Sequence, residues 1–257
     1  MSSPNPAASK WIPLEASPDV RFEWAAPLGL PQNLGFQDLY SLDPDFLQYT
    51  PKPVHAVLLL FPSRGKLAEE RKAEEAAGEL GWKGREDEEG DGQGQGGVWW
   101  IKQTTANACG SIGLLHSLLN LPPSTTTSIS PDSPLSTFKL QSLPLSPLAR
   151  AKLLDETPFF ETAHQNSVAA GQSRVPEGVE ERETDLHFIA FVKGGHADGS
   201  EHIVELDGGR EGPLDRGKTT GETFLEDVAK VVQEKYIDRA EGDVNFNLIT
   251  LGAVGEQ

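Results

Sequence analysis

Gln103-Thr-Thr-Ala-Asn-Ala-Cys109-Gly-Ser-Ile-Gly-Leu-Leu-His-Ser-Leu-Leu-Asn120 is the stretch on which the reading of this chain turns. Ala108, Ile112, Leu115 and Leu119 recur at helical spacing, Asn107 is a competent N-cap, and Leu121-Pro-Pro stops the helix. Cys109 is therefore expected in the first turn, where the helix macrodipole favours an anion and lowers a thiol pKa. Gly110 and Gly113 leave room beside the sulfur for an incoming backbone, or serve close packing. Gln103 follows a short apolar run, so its amide is placed to donate to an oxyanion, with the backbone N–H of Cys109 as a second donor. The competing reading of Cys109 is a buried, inert thiol, since free cysteine is among the most buried residue types.

Two later segments add chemistry. Leu186-His-Phe-Ile-Ala-Phe-Val192 and His202-Ile-Val-Glu-Leu-Asp207 read as neighbouring strands. His187 has apolar residues on both faces of its strand, and an imidazole in such company needs a partner. Asp207, at the end of the next strand and before Gly208-Gly209, can accept a hydrogen bond from the ring, fix its tautomer and support imidazolium formation. His55, His116, His164 and His196 are weaker candidates, and His202 stays open as an alternative base. The pattern is that of a Cys/His/Asp hydrolase.

The remaining chain supplies a mixed scaffold. Val54-His-Ala-Val-Leu-Leu-Leu-Phe61, closed by Pro62, reads as a buried strand, and residues 39–49 as helical or turn-rich. Residues 66–79 form a charged stretch with too few large apolar residues for a core helix. Val98-Trp-Trp-Ile101 reads as a short strand, and the Pro/Ser/Thr-rich residues 122–146 as surface chain. Ser146-Pro147 starts a helix running to Leu154, a second covers 159–170, and 171–184 is expected to be an exposed loop. Residues 224–236 form an amphipathic helix and 246–251 the last strand. Helices mixed with a sheet whose strands pair locally indicate the α+β class.

Composition excludes several functions. The chain has 257 residues, and its longest apolar run is far short of the roughly 20 residues that cross a bilayer. No basic or apolar leader opens the sequence and Ser2 excludes myristoylation, so a cytoplasmic, or also nuclear, location is expected. A single cysteine allows no internal disulfide, in keeping with a reducing compartment. With 22 basic against 39 acidic residues the net charge is -17, which argues against nucleic acid and for a basic partner.

The segment from Gln103 to Gly113 resembles the active-site signature of the ubiquitin C-terminal hydrolases, a papain-like family of cysteine peptidases. The resemblance extends to Asp185-Leu-His-Phe-Ile-Ala-Phe-Val192, similar to the family's histidine segment, and Glu205-Leu-Asp-Gly208, similar to its aspartate segment. Lys10-Trp-Ile-Pro-Leu-Glu15, Val54 to Pro62 and Ala149-Arg-Ala-Lys-Leu-Leu154 match as well.

The resemblance implies a knotted α+β fold, with a central, mostly antiparallel sheet flanked by helices. It implies one catalytic domain over residues 10–254 with an active-site crossover loop at 161–183, while 1–9 is expected to be a flexible N-terminus and the acidic, glycine-rich composition of 84–97 marks a flexible insertion. Cys109 becomes the nucleophile, His187 the general base, Asp207 its orienting acid and Gln103 the oxyanion donor, with no metal or organic cofactor. The expected partner is ubiquitin, from whose C-terminal glycine small adducts or short peptides are released by a monomeric enzyme. Leu14 and Glu15 match a segment that contributes to ubiquitin binding, whereas Glu180, Glu181 and Glu183 are read as solvated loop. The sequence departs from the family in its acidic insertion and in the long turn Gly194-Gly-His-Ala-Asp-Gly-Ser200. It stops soon after the last strand, without the extension of the larger members that join the proteasome, so that association is not expected. The rivals are a hydrolase of another ubiquitin-like modifier, an inactive ubiquitin-binding module and a redox-sensing thiol.

Overall fold

The computed structural model describes residues 11–78, 81–84, 97–122, 129–172 and 184–255. The N-terminal segment 1–9, nearly all of the 84–97 insertion, and Glu180, Glu181 and Glu183 lie outside the described residues.

In chain order the elements are α1 (Pro18–Ala25), β1 (Leu34–Asp38), α2 (Pro44–Leu47), β2 (Val54–Pro62), α3 (Gly65–Ala77), α4 (Cys109–Leu119), α5 (Pro134–Ser142), α6 (Pro147–Asp155) and α7 (Pro158–Ala170), followed by β3 (Leu186–Gly195), β4 (Glu201–Leu206), β5 (Leu214–Thr219), α8 (Phe224–Val232) and β6 (Asn247–Ala253). The strands form one sheet in the order β1-β6-β2-β3-β4-β5, every neighbour antiparallel. This is the α+β architecture expected, with one difference. Only β3, β4 and β5 follow each other locally, whereas the final strand β6 inserts between β1 and β2.

The apolar run of β2 is continuous because both faces of the sheet are covered. Ala56 and Leu58 join the core under α1, α4, α5, α6 and α7, while Val57, Leu59 and Phe61 join the core under α3 and α8. Ser146 caps α6 by accepting from the Ala149 N–H, as its sequence indicates.

Three expectations are corrected. Val98–Ile101 is buried but belongs to no strand. Side chains take the place of a strand partner: Asn120 bonds both backbone groups of Trp99, His116 accepts from the Ile101 N–H, and Arg150 donates to the Trp100 carbonyl. Residues 122–146 contain a helix, α5, because Ser133 caps it and Leu135 and Phe138 anchor it in the core. The segment assigned to a crossover loop from residue 161 is helical as far as Ala170. Among the described residues no helix is long and apolar enough to cross a membrane.

Candidate active site

α4 begins at Cys109, so the thiol stands at the first helical position, as its sequence indicates. Asn107 does not cap it. Asn107 takes a left-handed conformation with φ 63°, which asparagine tolerates better than most residues, and the cap position falls on Ala108 with no side-chain bond. The first N–H groups of α4 thus have no capping side chain and face the region of the sulfur. Gly110 serves packing more than openness: a Cβ there would lie 3.1 Å from Leu14 Cβ and 3.2 Å from a guanidinium nitrogen of Arg21.

The β3–β4 hairpin assembles the other groups. Antiparallel pairing of Ala190 with Leu206 brings the start of β3 beside the end of β4, where His187 Nε2 donates to Asp207 Oδ1 at 2.7 Å. With Nε2 committed to the carboxylate, Nδ1 is the nitrogen left to serve the thiol, whose ionised form His187 favours. The structure therefore brings Cys109, His187 and Asp207 together from α4, β3 and the end of β4. Gln103 joins them by its backbone, its N–H donating to the Gly208 carbonyl at 2.8 Å. Position 208 admits only glycine at this approach, since a Cβ would lie 2.9 Å from Gln103 Cβ. The Gln103 amide donates to the Thr105 carbonyl, and its second proton has no bond, while its oxygen is buried without a partner. Leu14 is buried against Gly110, and Glu15 approaches Gly171.

Electrostatics couple these groups. Burial pushes the Cys109 thiol up, but the hydrogen bond and charge of His187, the Phe188 N–H and the charge of Arg21 prevail and leave it below its ordinary value. Burial alone would lower His187, yet the charge and hydrogen bond of Asp207, followed by Cys109, push it up to about 10. Asp207 is held well below the usual carboxylate range: burial opposes this, and His187, Arg71 and the Gly209 N–H overcome it. The shifts of Cys109 and His187 favour a thiolate–imidazolium pair.

What lies behind Asp207 was not legible in the sequence. Arg71 of the charged helix α3 donates to Asp207 Oδ2 and, at 2.6 Å, to the Tyr236 hydroxyl. Glu205, fully buried, pairs with Arg71, Arg210 and Arg216, and Glu74 pairs with Arg210 and Arg216. Three guanidinium groups thus balance the three carboxylates of Glu74, Glu205 and Asp207. The one available signal was the position of Glu205 in an apolar strand, five residues before Arg210 and eleven before Arg216.

The other histidines serve elsewhere. His116 is held down at about 3 by burial and accepts from a backbone N–H, and His164, held down at about 4 by burial, accepts from the Ile12 N–H. His202 pairs with Asp215 at 2.8 Å, but it stands opposite Gly194, at the far end of the hairpin from His187. His196, Asp198 and His202 bring ligand atoms within 4.8 Å of one another. The two imidazoles stack 4.1 Å apart with planes 13° from parallel, so their in-plane lone pairs do not converge on one ion.

Comparison with known proteins places this geometry. A family model described as ubiquitin carboxyl-terminal hydrolase, family 1, matches residues 11–237. Ubiquitin carboxyl-terminal hydrolase 3 of Arabidopsis thaliana is 36% identical over 97% of each chain. A probable ubiquitin carboxyl-terminal hydrolase of Dictyostelium discoideum is 35% identical over 94% of this chain and 87% of its own. Among solved structures, the UCH37 catalytic domain of Trichinella spiralis, bound to ubiquitin vinyl methyl ester, shares the fold with a TM-score of 0.69 at 24% identity, over 97% of this chain and 99% of that one.

Proposed function

The chain belongs to family 1 of the ubiquitin carboxyl-terminal hydrolases, and from that premise we propose that it releases small adducts or short peptides from the C-terminal glycine of ubiquitin through a thioester on Cys109. The observation that carries the residue assignment is the convergence of Cys109, His187 and Asp207 from three separate elements, with His187 bonded to Asp207 and electrostatically coupled to Cys109.

In this reading the Cys109 thiolate attacks the glycine carbonyl carbon, and the negative charge moves to the carbonyl oxygen. The free amide proton of Gln103 and the N–H of Cys109 at the head of α4 receive that oxyanion. The His187 imidazolium then gives its proton to the leaving group, and the C–N or C–O bond breaks to leave the thioester. The neutral ring next takes a proton from water, whose hydroxyl attacks the thioester, and keeps it as the C–S bond breaks and the sulfur departs as thiolate. Ubiquitin leaves with a free carboxylate. Asp207 keeps the ring in the productive tautomer and stabilises the imidazolium. Leu14 and Glu15 belong to the wall beside Gly110 and Gly171, Leu14 packing against Gly110 and Glu15 reaching Gly171, which makes this segment a candidate contact for ubiquitin.

The test is release of a fluorophore from the C-terminus of ubiquitin by wild type and Cys109→Ala, with binding measured in parallel. Release by wild type, abolished in the variant with binding kept, supports the reading. Binding without release by wild type points to an inactive ubiquitin-binding module, and neither points to another ubiquitin-like modifier.

A further inference from the structure

One group beside the site has no part in the steps above. Arg21, in the middle of α1, is fully buried, and none of its three guanidinium nitrogens has a hydrogen-bond partner. A buried cation is costly unless an anion compensates it, and a buried polar group left unpartnered in a folded protein calls for a cause. Among the described residues no carboxylate pairs with it. Its surroundings are instead the parts of the nucleophile's seat. The guanidinium lies 4.2 Å from the centre of the Phe188 ring, a cation–π contact. It also abuts the backbone of Gly110, the residue after Cys109, closely enough that a Cβ there would meet NH1 at 3.2 Å.

We propose that Arg21 is a positioning residue for the nucleophile: its buried guanidinium, seated on the Phe188 ring and against Gly110, is the counter-charge that holds Cys109 as a thiolate from α1, independently of His187. The inference deepens the assignment of Cys109 as nucleophile and rests on it. Several observations agree. Phe188 serves both partners, its ring carrying the cation and its backbone N–H favouring the ionised sulfur. Burial lowers Arg21 to about 10, and Cys109 is the group whose charge acts against that fall. The charged and titratable groups facing this pair are few. His187 reaches Cys109 from β3 with Asp207 behind it, and His164 reaches Arg21 from α7 as a neutral ring held down by burial. None of them supplies a negative charge to Arg21, so the thiolate is its complement.

Because the chain has a single cysteine, alkylation by iodoacetamide as a function of pH reports the Cys109 thiolate alone. Arg21→Met removes the charge while keeping the bulk, Arg21→Gln removes it while keeping polarity, and Arg21→Lys keeps it. In both neutral variants the midpoint is expected to rise by about one unit and the rate at pH 6 to fall about tenfold relative to the plateau. Arg21→Lys is expected to keep the wild-type midpoint. A neutral variant whose profile superimposes on wild type overturns the inference, as does Arg21→Lys shifting as far as Arg21→Met, and Arg21→Gln decides if Arg21→Met does not fold. Release of the ubiquitin-linked fluorophore, followed in parallel, separates the two readings. An unshifted profile with intact release refutes the role of Arg21 alone. A shifted profile in a chain that releases nothing refutes the hydrolase reading and leaves the electrostatic pair standing.

Discussion

Two arginines flank the Cys109–His187–Asp207 line, and they are buried in opposite ways. Arg71 reaches Asp207 from α3 and is embedded among carboxylates: it bonds Asp207 and Tyr236, pairs with Glu205, and its pKa is raised above the ordinary value despite burial. Arg21 reaches the thiol from α1, bonds nothing, and is pushed down to about 10 by burial. The difference teaches what each end of the line requires. Asp207 keeps its charge throughout the reaction, so a rigid, fully bonded network behind it holds the imidazole at one angle. Cys109 alternates between thiolate and thioester, so a cation fixed by hydrogen bonds to the sulfur would hold back the attacking electron pair. A guanidinium resting on an aromatic face supplies charge without a directional bond.

The comparison can be broken most forcefully at Asp207. Asp207→Asn keeps the shape but removes the leading cause that raises His187, and turnover on a ubiquitin–fluorophore substrate is expected to fall by about 10⁴-fold with the fold intact. Loss of folding in this variant would make Asp207 a structural residue first. The next largest effect is thermodynamic. Arg71→Met leaves Asp207 and Glu205 short of a buried counter-charge and is expected to destabilise the protein by about 3–5 kcal/mol in denaturant unfolding. A loss below about 1 kcal/mol would show the network to be replaceable packing.

pH sharpens the contrast. Acylation needs the thiolate and the imidazolium together, so kcat/KM is expected to rise with pH through the lowered thiol pKa and to fall as His187 loses its proton near pH 10. In residual Asp207→Asn activity the alkaline limb moves to lower pH, because the largest raising influence on His187 is gone. An alkaline limb that stays in place would refute the coupling. The smallest effect belongs to Arg21. The thiol's folded pKa is depressed, so the Cys109–Arg21 attraction stabilises the fold above the unfolded thiol pKa and is lost as pH falls through the folded one. Arg21→Met is therefore expected to gain stability relative to wild type on going from pH 9 to pH 6, by about 1 kcal/mol in thermal or denaturant unfolding. A difference constant with pH would break the comparison.

The amino-acid sequence by itself determined the elements whose signals are local. The two-sided apolar run of β2, the Ser-Pro start of α6, the helical spacing after Cys109 and the paired strands bearing His187 and Asp207 all depend on neighbours within a few residues, and each stands where that pattern puts it. Local signals also misled. Val98–Ile101 has strand composition, but its backbone partners are the side chains of Asn120, His116 and Arg150, up to 50 positions away. The Pro/Ser/Thr content of 122–146 suggested surface chain, whereas two apolar residues sufficed to dock α5.

Only the tertiary structure decided that β6 inserts between β1 and β2, that a charged surface helix delivers Arg71 to Asp207, and that Arg21 stands beside the thiol. Charged residues carry no periodicity that marks their partners. Whether an arginine is solvated, balanced or left alone against an aromatic ring depends on which distant segments fold over it, and a Coulomb interaction in a buried site depends on distances that no single stretch of chain encodes.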